Sequence, residues 1–183
     1  MKDRIILHRR HRERGVVLFI SLVMLLIITV LGISSVQSTS MQERMARNAR
    51  DTNLAFQSAE SAIKDAEEFI ETFTSLAGFP NNAEGLYVEP DFGEPSNWTG
   101  VNWDGATGYR DVGITTIAGV ATQPKYIVEF VKTVVSEVDR LNLDNIGQST
   151  GFGRSQVFRI TVYGTGGTNN AHVVIQSTYG KKF

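Results

Sequence analysis

Residues 16–36 read VVLFISLVMLLIITVLGISSV, and residues 41–73 read MQERMARNARDTNLAFQSAESAIKDAEEFIETF. The first run carries no charged residue, and as a helix it rises about 31 Å, close to the hydrocarbon thickness of a bilayer. Only a helix or a closed barrel satisfies its backbone in lipid. No Pro occurs before Pro80, and Gly32 is the only Gly from Val16 to Ala77, so nothing interrupts a helix between the two runs. In the second run apolar residues recur at Met41, Met45, Ala49, Ala55/Phe56, Ala59, Ala62/Ile63, Ala66, Phe69/Ile70 and Phe73. That spacing of three to four is an amphipathic stripe. The spacing predicts one helix from about Val16 to Thr74, on the order of 85–90 Å long, ending near Leu76 to Gly78 with Pro80 beyond it. The opposite face carries Glu43, Arg44, Arg47, Arg50, Asp51, Glu60, Lys64, Asp65, Glu67, Glu68 and Glu71. The stripe departs from a strict heptad and is rich in Ala, which suits close packing on the chain's own globular part better than a coiled coil.

Upstream, Lys2, Arg4, Arg9, Arg10, Arg12 and Arg14 face only Asp3 and Glu13. A basic head directly before an apolar run keeps that end cytoplasmic and sends the chain beyond Val36 across the membrane. Three readings of the head and run fit the composition. One is a cleaved signal peptide, for which the run is longer than usual. Another is an uncleaved anchor. The third is cleavage after Gly15, at the Arg14-Gly15 junction, which removes the head and leaves the apolar helix on the mature chain.

All four Pro, both Trp and 15 of the 17 Gly lie at or beyond Gly78. Residues 78–111 read as loop, with Glu89, Asp91, Glu94, Asp104 and Asp111 interleaved with Phe92, Trp98, Trp103 and Tyr109. The acidic oxygens raise the question of calcium, but their spacing fits no EF-hand loop, and a loop pinned by its aromatics is the simpler reading. Asn97-Trp98-Thr99 matches a glycosylation acceptor. Period-two alternation predicts strands around Tyr126–Val131, Phe158–Tyr163 and His172–Thr178, with a further one near Val112–Val120. Gly164–Asn170 is a hairpin connection. Consecutive hairpins give an antiparallel sheet whose apolar face needs a cover, and the amphipathic half-helix can supply it. The fold class is therefore α+β, in four segments: a basic head (1–15), an apolar helix (16–40), an amphipathic helix (41–77) and a β-sheet region (78–183).

The formal net charge of −1 argues against a nucleic-acid binder, and the lack of Cys excludes a disulfide scaffold, a thiolate metal site and a cysteine nucleophile. Gly147-Gln148-Ser149-Thr150-Gly151 matches G-x-S-x-G, but the nucleophile elbow needs a strand before it and a helix after it. Beyond His8 and His11 in the basic head the only His is His172, in an expected strand. A Gly/Ser turn is the reading, and no enzyme, metal or cofactor is expected.

Arg14-Gly15 followed by Val16-Val17-Leu18-Phe19 and the apolar block resembles the class III leader of type IV pilins and type II pseudopilins. Residues 41–63, with Ala55-Phe56-Gln57-Ser58-Ala59-Glu60, are similar to the N-terminal region of the PilX minor pilins. Residues 158–179 are similar to that group's final hairpin. The resemblance implies a prepilin leader over residues 1–15, cleavage between Gly15 and Val16 by prepilin peptidase, and N-methylation of Val16. It implies a pilin-like fold and a structural subunit that primes type IV pilus assembly and so supports adhesion and twitching motility. Its partners would be other minor pilins, the major pilin, a pilus-tip adhesin and the inner membrane. The subunit would wait there with its C-terminal part in the periplasm before joining the fibre.

Two features depart from the pilin pattern. Most pilins place Glu where this chain has Ile20, and a carboxylate in a membrane span costs about 2.5–3.5 kcal/mol unless paired. Pilins pair it with the N-terminal amine of the subunit already in the filament, so Ile20 points to a tip position, where nothing precedes. The missing Cys leave the C-terminal end to be held by strand pairing. Gly32, with Ser34 and Ser35, offers close approach or local unwinding during filament assembly. Two alternatives stay open: a minor pseudopilin of a type II secretion system, and a membrane-anchored periplasmic protein binding a ligand around Trp98–Tyr109.

Overall fold

A computed structural model describes residues 14–79, 84–113, 116–135 and 154–182. The basic head with His8 and His11, and the Gly147–Gly151 motif, lie outside the described residues. The elements are α1 (Arg14–Glu71), β1 (Leu86–Val88), α2 (Asn97–Gly100), β2 (Arg110–Asp111), β3 (Lys125–Val135), β4 (Arg154–Thr165) and β5 (His172–Lys182). The chain forms two compact units, one up to Arg47 and one from Asn48 onward.

The described residues of the first unit are helix alone. From Val16 to Val36 nearly every side chain is exposed. The hydroxyls of Ser21 and Thr29 donate back to the carbonyls of Leu18 and Leu26 at 2.8 and 2.7 Å, which removes their need for water.

The second unit is an α+β layer pair. The α1 residues 48–71 cover one face of a sheet ordered β1-β3-β4-β5, with β2 also paired to β3. β3, β4 and β5 are joined antiparallel in long ladders, as the alternation predicts. The sheet is mixed, because three-residue β1 runs parallel to β3 through Leu86↔Val128, Tyr87↔Glu129 and Val88↔Phe130. Parallel pairing needs a long crossover, and the stretch from Glu89 to Pro124 provides it. The strand expected near Val112–Val120 is instead the short β2 at Arg110–Asp111, and the described residues of 112–120 contain no strand. Tyr109 and Arg110 sit against Gly85, and that contact holds the pairing to this spot.

Helix and sheet approach closely because both surfaces are small. Ala55, Ala59, Ala62 and Ala66 are fully buried, with Ser58 between them. A Cβ added to Gly164 would lie 2.6 Å from the Ala55 carbonyl oxygen and 2.8 Å from both the Ala59 Cβ and the Ser58 Oγ. Ser58 Oγ donates to the carbonyls of Ala55 and Thr165 at 2.8 and 3.0 Å, tying helix to strand. Beyond the alanines the layer fills with rings and branched chains: Ile70, Phe79, Tyr126, Val128, Phe158, Ile160 and Val162. Phe73 packs edge-on against Phe69 and Phe79, with centroids 4.7 and 5.5 Å away.

Two acidic side chains grouped above with the charged face of the helix are used inside this unit. Asp51 accepts hydrogen bonds from the Gly167 and Thr168 amides and the Thr168 hydroxyl, clipping the β4–β5 connection to the helix. The Thr168 hydroxyl leads in holding the Asp51 carboxyl below its ordinary value, against the opposing effect of desolvation and with help from the Gly167 and Thr168 amides. Buried Asp65 accepts from the Gly113 amide at 3.3 Å. The helix also ends at Glu71, earlier than the composition predicts. Thr72 and Phe73 close its last turn with i to i−3 bonds of 3.0 Å. Lys181 on β5 then donates to the carbonyls of Ile70, Glu71 and Phe73, satisfying the orphan acceptors of that terminus.

Gly164→Val brings a branched Cβ to within 2.6 Å of the Ala55 carbonyl oxygen. We expect about 1–3 kcal/mol of destabilisation, read as a lower thermal midpoint of the detergent-solubilised chain.

Candidate assembly surface

The candidate surface begins at the Gly15–Val16 junction. Arg14 and Gly15 form the first turn of α1, so the Gly15–Val16 bond is helical and not extended. Val16 is 57% exposed and Ile20 is 52% exposed, both in the described surface of the first unit. A Cβ on Gly32 would meet nothing within 4 Å, so the notch there is open. Gly15, Val16, Ile20 and Gly32 thus lie along one helix that is long and apolar enough to cross a membrane, with a mean hydropathy of 3.1 in its best window. That suits membrane anchoring. Farther along, Glu43 and Arg47 make an exposed i,i+4 pair at 3.7 Å, of little energetic weight.

The second surface is the face of the sheet turned away from α1. Strict alternation would leave it wet, yet Lys125, Ile127, Glu129 and Thr161 are buried. The crossover lies over them. Trp103 stacks on Tyr163 with centroids 5.3 Å apart and on Tyr109 at 6.3 Å, and His172 stacks on the far side of the row, 5.5 Å from Tyr163. The Lys125 ammonium donates to the Trp103 carbonyl and sits 4.1 Å from the Tyr109 ring centre. The aromatic pinning expected of residues 78–111 is therefore present, with β1, α2 and β2 inside what the sequence presents as loop.

Glu129 is the most unusual group on that face. It is 0% exposed, and its Oε1 accepts from the Asn97 amide at 2.8 Å. Its Oε2 has no hydrogen-bond partner, with Arg159 at 3.9 Å and itself held by Glu89 at 2.6 Å. Burial pushes the Glu129 carboxyl up, while the Asn97 bond and Arg159 pull it down and Glu89 adds a further upward push. The same Asn97 amide nitrogen donates to the Val88 carbonyl at 2.8 Å. The acceptor asparagine of the Asn97-Trp98-Thr99 triplet is thus committed inside the fold. Among the described residues no three His, Asp or Glu side chains converge on a point that could hold a metal ion, and the acidic residues of the crossover do not form a calcium cage. His172 is exposed and stacked.

Sequence reasoning missed Asp51, Lys181 and Glu129. For Asp51 a signal existed: Asp51, Ala55, Ser58, Ala62 and Asp65 are spaced four, three, four and three, which places both carboxylates on the sheet-facing stripe. For Lys181 and Glu129 no local signal exists, because their partners lie 108 to 111 and 32 residues away.

The family description PilX N-terminal matches residues 14–64, and the description Type IV pilus assembly protein PilX C-term matches residues 40–181. No curated protein and no solved structure matches the chain.

A carboxyl whose value is raised on folding stabilises the fold below its unfolded value, about 4.5 here, and that contribution is lost as pH rises through the folded value. Glu129→Gln keeps an acceptor for Asn97 and removes the buried charge. The variant should unfold at a higher temperature than the parent at pH 7, with the gap closing as pH falls toward 4.5. Thermal melts across that range read it.

Proposed function

The chain belongs to the PilX family of type IV pilus assembly proteins, and we propose that it is the minor pilin that starts the fibre, seated at or near its tip. The observation that carries this reading is the uncharged, exposed helix surface from Val16 to Val36, with Ile20 where a carboxylate would be expected to follow another subunit. Prepilin peptidase would cleave between Gly15 and Val16, and the new Val16 amine would be methylated. The apolar helix then rests in the inner membrane with the second unit in the periplasm. Bilayer and filament core are equally greasy, so moving the helix between them changes little hydrophobic free energy, and van der Waals packing around Gly32 and a few polar contacts must decide its place. That near-neutrality allows an assembly machine to extract the subunit.

Ile20 sets the order of entry. A subunit with Glu there gains from following one whose N-terminal amine is free. This chain offers the amine and lacks the carboxylate, so it can receive a successor without needing a predecessor. The role is structural and involves no reaction. Other minor pilins, the major pilin and a tip adhesin are the partners, and adhesion and twitching motility depend on it through the fibres it starts. A minor pseudopilin role would require the same helix, and a secretion assay separates the two.

Intact-protein mass and N-terminal sequencing of membrane-extracted chain should show methylated Val16 as the first residue. A start at Met1 or near Ser35 would count against the pilin class. Deletion of the gene should remove surface pili and leave protein secretion intact; the reverse outcome would favour the pseudopilin. Ile20→Glu should lower pilus number, because a carboxylate at the leading position has no amine to meet. An unpaired carboxylate costs about 2.5–3.5 kcal/mol on membrane insertion, on the order of 100-fold in the inserted subunit available to start a fibre. Unchanged or increased piliation would show that another subunit precedes this one.

A further inference from the structure

One side chain of the second unit is displayed and not packed. Phe92 is 109% exposed, more than any other large apolar residue among the described residues. Its loop is nonetheless fixed at both ends. The Glu89 amide donates to the Phe130 carbonyl at 2.9 Å, and the Glu89 carboxylate holds Arg159 at 2.6 Å. At the other end Asn97 closes the loop by donating to the Val88 carbonyl at 2.8 Å. Between these ends the tip is a four-residue turn, with the Glu94 amide donating to the Asp91 carbonyl at 3.0 Å. Gly93, its third residue, has a φ of 100°, the sign that a type II turn requires there and that favours glycine. Pro90 and Pro95 bracket the turn and restrict the chain further.

A loop anchored in this way holds an aromatic ring in water without covering it. Aromatic rings on preorganised loops recover most when they enter a pocket, since little ordering remains to oppose binding. The surroundings state what kind of pocket. Asp91 and Glu94 flank the ring and are exposed, so the complementary rim is cationic. The same two carboxylates disfavour an anionic bilayer or a nucleic acid as the occupant.

We propose that Phe92 is a docking anchor that inserts into an apolar pocket bordered by Lys or Arg on a different protein of the pilus. The inference rests on the assignment to pilus assembly but not on the tip position. Because the side chain is fully exposed among the described residues, Phe92→Ala should leave the thermal midpoint unchanged while weakening the contact about 30-fold or more.

The test places a photo-crosslinker at the tip, Phe92→p-benzoylphenylalanine, in piliated cells expressing the full chain, with Ser61 on the exposed helix face as the control position. The expected result is an adduct from position 92 and none from 61, mapped to an apolar peptide of a second pilus protein flanked by Lys or Arg. Its yield should fall about tenfold when Asp91→Lys and Glu94→Lys are added, with the thermal midpoint unchanged. Absence of an adduct, an adduct to lipid or to a second copy of this chain, or a yield indifferent to the charge reversal would overturn the proposal. Loss of the adduct contact with normal dependence of pili on the gene would leave the pilus assignment standing. An adduct in cells whose pili do not depend on the gene would remove the assignment instead.

Discussion

The second unit depends on one constraint: its helix must come within contact distance of strand backbone. Ala55, Ser58, Ala59, Ala62 and Ala66 give a helix surface with almost no side-chain depth, and Gly164 gives a strand with none. Gly166 extends the approach, since a Cβ there would overlap the Asp51 carbonyl oxygen. Alanines contribute little apolar area each, so the helix is not held by burying large side chains along this stretch. It is held by close packing, by Ser58 bonding to Thr165, by the Asp51 clip at one end and by Lys181 at the other. The bulky part of the core, from Phe69 to Phe79 against Phe158, is gathered beyond the alanines, where the helix terminates and the layers have room.

This arrangement explains what could be read from the sequence and what could not. Periodicity sees a side chain's own face, so the long helix, the strands β3 to β5 and the glycine-rich connection before β5 were all legible. The helical stripe itself contained the reason for close packing, since alanine at three- and four-residue spacing has no other use on a sheet-facing surface. Periodicity cannot see what the other face of a strand meets. β3 is buried on both sides from Lys125 to Glu129, and only the crossover explains why a lysine and a glutamate occupy a central strand. β1 and β2 are three and two residues long, too short for any alternation to register, and their positions are set by pairing to β3 and not by their own composition. The early end of α1 has the same origin: the capping lysine is on the last strand, and no residue near Glu71 announces it.

Sheet topology obeys these same contacts. A short parallel β1 at the edge of β3 brings Glu89 alongside Phe130 and launches the crossover over the far face. Once there, the crossover is committed by stacking of Trp103 between Tyr109 and Tyr163 and by Asn97 bridging Val88 and Glu129. Glu129 is retained at an evident cost, with one oxygen unbonded in the interior. An apolar residue there would satisfy burial but leave the Asn97 amide without one acceptor. Polar groups that fix which segment lies over a strand contribute specificity even where they subtract stability.

The two stretches of α1 meet opposite demands with one secondary structure. Across its apolar run the helix shows greasy side chains in every direction, and from Asn48 it sorts them onto a single stripe. A surface apolar all round cannot discriminate between neighbours by hydrophobicity, because lipid and another such helix are equivalent to it. No side chain of residues 16–36 is charged, and the notch at Gly32 is open. Polar and aromatic features capable of distinguishing one neighbour from another are held in fixed positions by the second unit. The crossover is suited to that task for a physical reason: its base is locked to the sheet by hydrogen bonds and stacked rings, so its tip can vary in sequence without disturbing the packing of helix on strand.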